Sequence, residues 1–312
     1  SYDGSFLDRF DTTRDTLSWQ NDLYLGEDHI LTGGVDYQRD RVDGTVDYAE
    51  DSRGDTGLFG EYQGGFADHL FKASLRYDHN EQFGDHTSGD ASWGHTLDSG
   101  LRLTASYGTA FKAPTFNDLY FPFFGNPDLD PETSRSFELG VSGEWRGARW
   151  SVNLYQTDID DLIAFDAIAQ APANIDSARI RGLEAVASAR IASWDLSGNL
   201  TLMDPENRSS GANKGNLLPR RPEQTLRLDL DRALGKFRVG GTLFVSGRRF
   251  DDFANDIRLD PYALADLRAE YDVAESLRLQ GRVENLFDAD YETAAFYNQP
   301  GRSFYLTLRY QP

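Results

Sequence analysis

Hydrophobic and polar residues alternate with a period of two along most of the chain. This is the pattern of strands that turn one face to an apolar phase and the other to water. Leu226, Leu228 and Leu230 alternate with Arg227, Asp229 and Asp231, and Phe237, Val239, Gly241, Leu243 and Val245 alternate mostly with small or polar residues. Leu277, Leu279, Gly281 and Val283 are interleaved with Arg278, Gln280, Arg282 and Glu284. Phe304, Leu306, Leu308 and Tyr310 oppose Ser303, Tyr305, Thr307 and Arg309, and the same pattern holds at Leu101, Leu103, Ala105 and Tyr107. The alternation predicts an all-β chain of about fifteen antiparallel strands with no helical segment between them.

The connections are expected to alternate between tight and long. Short turns are predicted near 26–28, 67–68, 98–99, 147–148, 192–193, 233–234 and 274–275. Longer loops are predicted over 112–131, 166–175, 205–219, 251–260 and 288–300, where Pro, Gly, Asn and Asp concentrate. Trp145, Trp150 and Trp194 fall beside short turns, and Tyr107, Phe111, Phe250 and Phe287 fall near long-loop ends. Two belts of this kind suit the two interfaces of a membrane. They are equally compatible, strand by strand, with the packed core of a soluble β-sandwich or propeller.

Composition narrows the choice. No run approaches the roughly 18 apolar residues of a membrane helix, so if the chain crosses lipid it does so with strands closed into a barrel. The sequence has 312 residues, no cysteine and a formal net charge of −20. The missing thiols exclude disulfides and thiolate metal sites. The negative charge argues against a nucleic-acid partner, whose phosphates require clustered Lys and Arg.

Candidate chemistry is sparse. Asp251, Asp252, Asp256 and Asp260 supply oxygen ligands of the kind calcium takes, but their spacing matches no compact calcium loop, and a solvated acidic loop is the expected state. His29, His69, His79, His86 and His95 have no metal-ligand spacing and are expected mostly at the surface. Asp158, Asp160 and Asp161 form the densest carboxylate cluster, at a spacing common on barrel rims. There is no nucleophile elbow, phosphate loop or dinucleotide fingerprint, so the expectation is that the chain is not an enzyme.

Two long motifs carry a family resemblance. ASYGTAFKAPTFNDLYFPFFGNPDLDPETSRSFELGV, from Ala105 to Val141, and VENLFDADYETAAFYNQPGRSFYLTLRY, from Val283 to Tyr310, resemble segments of TonB-dependent outer-membrane transporters. RIRGLEAVA and LPRRPEQTLRL, which lie between them, resemble intervening strands of the same family. Physically, Pro114 withdraws a backbone donor where ladder pairing ends, and Gly125, Pro127 and Pro131 turn and stiffen a long loop. Such motifs specify architecture more than ligand.

The resemblance implies residues 1–312 as the C-terminal part of a plugged barrel of about 22 strands. An odd strand count does not close a bacterial single-chain barrel, so about seven strands and an N-terminal plug are expected upstream of Ser1. It further implies an integral outer-membrane location in contact with lipid and lipopolysaccharide, long loops outside the cell and a periplasmic C-terminus. A TonB-type coupling protein would act on the plug. Within the family the loops most resemble the cobalamin (vitamin B12) receptors; siderophore or haem receptors are the alternative, and a passive porin-like or structural barrel is the alternative of another class. Arg220, Phe253 and Tyr297 occupy positions where cobalamin receptors present ligand-facing side chains. An Arg fork there can donate to amide or phosphate oxygens, and aromatic rings can cover an apolar face. Equally, a loop-base Arg can pair with a neighbouring carboxylate, and a loop aromatic can fill a local gap. The resemblance implies no catalytic cofactor. Any loop-ordering calcium is expected to bind upstream of Ser1.

Overall fold

In the computed structural model, which describes residues 9–166 and 169–311, the alternating segments are strands. The first half contains β1 (Phe10–Tyr24), β2 (His29–Gly44), β3 (Ser52–Phe66), β4 (His69–Asn80), β5 (Gly84–Thr96), β6 (Arg102–Lys112), the short helix α1 (Phe116–Tyr120), β7 (Glu132–Trp145) and β8 (Ala148–Asp166). The second contains β9 (Ala171–Ile191), β10 (Trp194–Asn207), β11 (Gln224–Leu234), β12 (Phe237–Ser246), β13 (Arg249–Phe250), β14 (Arg258–Leu259), β15 (Tyr262–Ala274), β16 (Leu277–Glu284), β17 (Glu292–Ala294), β18 (Tyr297–Asn298) and β19 (Ser303–Tyr310).

Fifteen strands form one sheet in the order β1 to β12, β15, β16, β19, while β13–β14 and β17–β18 are two-stranded ribbons within long connections. The chain divides into two compact units, one of 1–96, 104–138 and 157–179, the other of 97–103, 139–156 and 180–312.

Register keeps the apolar and polar faces apart in each unit. In the first, Val35 pairs with Trp19 and Leu58, and Leu58 pairs with Tyr77. The opposite face carries a bidentate Arg14–Asp40 pair at 2.7 and 2.9 Å, Arg76 between Asp36 and Asp78 at 2.8 and 2.7 Å, and Lys72 on Glu61 at 2.9 Å. In the second, Leu243 pairs with Leu228 and Ala265, and Leu279 with Leu308. There the polar face joins Arg268 to Asp231, Arg278 to Asp272 at 2.6 Å and Gln280 to Glu270 at 2.9 Å.

The distribution of burial decides between a soluble sheet and a membrane sheet. Trp19 and Leu58 are each 62% exposed and Leu306 is 78% exposed, so the apolar face has no second layer on it. The deeply buried apolar side chains sit instead mostly in the long connections, as with Phe116, Leu119, Leu129, Leu218 and Ala295. A sandwich or propeller would bury its sheet faces. A contiguous exposed apolar face of this extent needs an apolar phase beside it.

The turns are short because several non-glycine residues accept the left-handed backbone that two-residue hairpins demand. Arg146 and Gly147 have φ of 51° and 80°, and Ala192 and Ser193 have φ of 49° and 69°. The turn expected at 233–234 lies two residues later: Ala233 and Leu234 still pair with Arg238 and Phe237, and Gly235, at φ 64°, takes the bend.

The 166–175 loop is also corrected. β8 runs to Asp166 and β9 resumes at Ala171, and residues 167 and 168 lie outside the described residues. The Pro and Asn that suggested a loop are held within β9, where Asn174 Nδ2 donates to the Asp161 carbonyl at 2.7 Å and the Pro172 carbonyl accepts from Asn126. Nor is the rhythm of connections strict. Only 81–83 separate β4 from β5, in a turn closed by Asn80 Oδ1 accepting from the Gln82 and Phe83 amides at 3.1 Å each.

The long motif after β6 is architectural, as its chemistry suggests. Thr115 and Asp118 form a capping box on α1, Leu119 and Leu129 are buried, and the buried Pro114 accepts at its carbonyl from Arg53 at 2.9 Å.

A charge on the apolar face should be costly. Leu243→Arg and Leu279→Arg are each expected to destabilise the bilayer-folded protein by about 2–4 kcal/mol if near the midplane. Arg282→Lys, on the polar face, should change stability little. Denaturant titration of folding into lipid vesicles measures both, and equal costs on the two faces would remove the lipid-facing assignment.

Candidate functional site

Three long connections of the second unit, 208–223, 247–261 and 285–302, carry the predicted ligand-facing residues. Arg220 sits at the foot of the first with a left-handed backbone, φ 59°, and its amide donates to the Phe250 carbonyl at 2.6 Å. Its guanidinium forms a two-pronged pair with Asp251, Nε to Oδ1 at 2.6 Å and Nη2 to Oδ2 at 3.2 Å. The Asp251 carboxylate is 4% exposed, whereas the Arg220 side chain is 41% exposed. The fork is therefore held by a two-pronged pair while part of the side chain stays exposed.

Phe253 is brought beside this connection. Its carbonyl accepts from Asn216 Nδ2 at 3.0 Å. Two residues further on, Asn255 exchanges bonds with Leu217, whose amide donates to Asn255 Oδ1 at 2.8 Å and whose carbonyl accepts from Nδ2 at 2.9 Å. Asp252 organises the turn from within. Wholly buried, it accepts from the amides of Ala254, Asp256 and Ile257 at 3.1, 3.1 and 2.7 Å. An Asp that collects amides two to five residues ahead is an extended Asx turn.

This corrects the solvated acidic loop expected at Asp251, Asp252, Asp256 and Asp260. Asp251 and Asp252 are structural and buried, while Asp256 and Asp260 stay exposed. Among the described residues no three His, Cys, Asp or Glu side chains are grouped to hold a metal ion.

Tyr297 lies apart, on the tip of 285–302, with 69% of its surface exposed. The foot of its loop is held by buried Asn285, which donates to the Ala289 carbonyl and accepts from the Ala289 amide, both at 2.8 Å. Its backbone amide also reaches Asp266 at 2.9 Å. The NLFD motif is thus a loop clamp.

Asp288 completes the clamp. The Arg302 amide, 2.7 Å away, and the Arg302 guanidinium hold its carboxyl below the ordinary carboxylate range. A depressed folded-state pKa stabilises the clamp above the unfolded value near ~4. That contribution is lost as pH falls through the depressed value. Burial pushes the neighbouring Tyr291 phenol up.

Other expected groupings disperse. Asp158 pairs with Arg179 at 2.6 Å and Asp160 with Arg135 at 3.2 Å, while the Asp161 carbonyl serves Asn174. Of the five histidines only His79 is exposed. His69 stacks on His95 at 4.1 Å and His86 on Phe111 at 3.5 Å, so most are packed against rings rather than free at the surface. Phe111 accordingly leaves the expected interfacial belt and lines a polar recess of about 280 Å³ with Arg14, Asp40, Arg53 and Asp55. Sequence reasoning missed Asp252 and Asn255 as organisers. The signal was in DDFAND, an Asp followed by small or polar residues at Asx-turn spacing.

The comparisons with known proteins agree with this architecture. Residues 1–286 match the family model described as TonB dependent receptor-like, beta-barrel. The chain belongs to that family of outer-membrane receptors and transporters. It is 35% identical over 308 residues to the vitamin B12 transporter BtuB of Photobacterium profundum, covering 96% of this chain and 50% of that protein. The chain therefore spans about half the length of that relative. Among solved structures, the ferric enterobactin receptor PfeA of Pseudomonas aeruginosa matches with a TM-score of 0.76 at 23% identity, over 96% of this chain and 54% of that one. The siderophore receptor PiuA of Acinetobacter baumannii matches with a TM-score of 0.79 at 18% identity, over 97% and 56%. At these identities the structural likeness concerns the fold alone.

Removing the Asp252 carboxylate leaves the amides of Ala254, Asp256 and Ile257 without this acceptor. Asp252→Ala should destabilise the 247–261 connection by about 1–3 kcal/mol or more. Hydrogen exchange at residues 254, 256 and 257 is expected to accelerate sharply while exchange in β11 and β12 is unchanged; unaltered protection would mean that other contacts hold the turn.

Proposed function

We propose that this chain is the C-terminal barrel portion of an outer-membrane importer of cobalamin. A plug and the first barrel strands precede Ser1, and a TonB-type inner-membrane protein energises uptake by acting on that plug. The long connections face outside the cell and the C-terminus the periplasm. The observation that carries the substrate is the 35% identity to a vitamin B12 transporter across 96% of the chain. The siderophore receptors resemble it only in fold.

In this reading Arg220 donates to polar oxygens of the corrinoid. Phe253 and Tyr297 supply aromatic cover. A half-exposed guanidinium locked by a buried carboxylate is well suited to this role, because little side-chain entropy remains to be lost on binding. An exposed Tyr suits it too, offering a large rigid face with few rotatable bonds.

Equilibrium binding to the full-length receptor tests the reading. Tyr297→Ala and Arg220→Ala should each weaken cobalamin binding by about 1–3 kcal/mol while barrel assembly is retained. Asp251→Asn loosens the fork without removing its donors and should keep most of the affinity. If it matches the loss in Arg220→Ala, Arg220 serves only the loop. Ferric siderophore should not compete; tight siderophore binding with no cobalamin affinity would overturn the substrate and leave the family untouched.

A further inference from the structure

The three connections are not tied together equally. The first two share five side-chain ties, from Arg220 to Asp251, from Arg248 to Glu223, from Asn216 to Phe253 and, in both directions, between Leu217 and Asn255. The third, which bears Tyr297, has no such redundancy. Among the described residues, one hydrogen bond joins 247–261 to 285–302, and it comes from Arg249.

Arg249 is an unusual residue for that place. It is only 3% exposed, and no carboxylate pairs with it among the described residues. Burying a cation without a counterion costs several kcal/mol in general, and a well-packed apolar side chain would avoid the cost. What the guanidinium supplies is geometry. Nη1 donates to Ser246 Oγ at 3.1 Å at the end of β12, Nη2 donates to the Glu292 carbonyl in β17, and the cation lies 5.2 Å from the centre of the Tyr262 ring at the start of β15. Tyr262 in turn packs on Tyr291 of the third connection, ring centres 4.5 Å apart. A planar fork can bond two elements in different directions while resting its face on an aromatic ring.

We propose that Arg249 is the positioning residue that locks the Tyr297 loop to the Arg220–Phe253 pair. The ligand then meets one pre-organised surface rather than two independent loops. The proposal rests on the reading that these connections bind the imported ligand. Pre-organisation of this kind acts mainly on the lifetime of the complex, because encounter does not require the loops to be joined while retention does.

The test uses the full-length receptor with Arg249→Met, Arg249→Lys and Ser246→Ala. In ligand-free Arg249→Met, hydrogen exchange over 292–298 should rise about tenfold or more. Residues 251–257, held separately by Asp252, should stay within about twofold of wild type. Cobalamin should dissociate about tenfold faster, with its association rate within about threefold. Arg249→Lys keeps the charge but not the fork and should recover only part of the lifetime. Should Arg249→Met fail to assemble, Arg249→Lys and Ser246→Ala, which weaken single limbs, are expected to show the same pattern at several-fold size.

Unchanged exchange at 292–298, or wild-type cobalamin lifetime with the loop loosened, overturns the proposal. A wild-type receptor that binds no cobalamin overturns the substrate instead, and the exchange result still decides the lock.

Discussion

A bilayer offers backbone amides and carbonyls no partner, so a chain that crosses it must pair them internally. That constraint sets the long, uninterrupted antiparallel ladder seen here, in which each strand of the sheet hydrogen-bonds its neighbours in the order and hairpins turn in as few as two residues. Because successive side chains point to opposite faces, the same ladder sorts the chain into one face for lipid and one for water. The ion pairs on the polar face are mostly partly exposed, and each adds little to stability. Their main effect is to keep charged side chains on the side where water can reach them.

Outside the strands a different rule operates. The long connections lack a ladder, so side chains stand in for it. Asp252 gathers three amides, Asn80 two, and Asn285 and Asn255 each bond a backbone amide and a carbonyl at once. Around these polar centres small apolar clusters form, with Leu218, Leu259 and Ala295 buried in the second unit and Phe116, Leu119 and Leu129 in the first. Each connection thus becomes a compact folded element. This allows loops that differ in sequence between family members to remain rigid enough to select a ligand.

The functional reading follows from this division of labour. Ligand choice belongs to the connections, which is why structural likeness to siderophore receptors at 18–24% identity says little about cargo. Arg220 illustrates how the two readings of a residue can both hold. It pairs with a buried carboxylate, as loop-base arginines do, and its side chain stays 41% exposed. The salt bridge and the proposed contact are one device.

Strand number, the segregation of faces, most short turns and the family motifs were legible in the sequence. Each depends on residues close together in the chain, where a period of two or a Gly-containing turn leaves a local mark. What lay beyond local pattern was decided only in three dimensions. Phe111 reads like an interfacial aromatic but stacks on His86, 25 positions away. Pro172 and Asn174 read like loop residues, yet β9 holds them because Asn126 and the Asp161 carbonyl complete their hydrogen bonding. Arg220 meets Asp251 at a separation of 31 and Arg249 meets Glu292 at 43. Alternation determined by itself that this chain makes a two-faced antiparallel sheet, because side-chain direction in a strand is a local property of the backbone. Which charges are buried, and which loops are tied to one another, depends on partners that only the folded ladder brings within hydrogen-bonding distance.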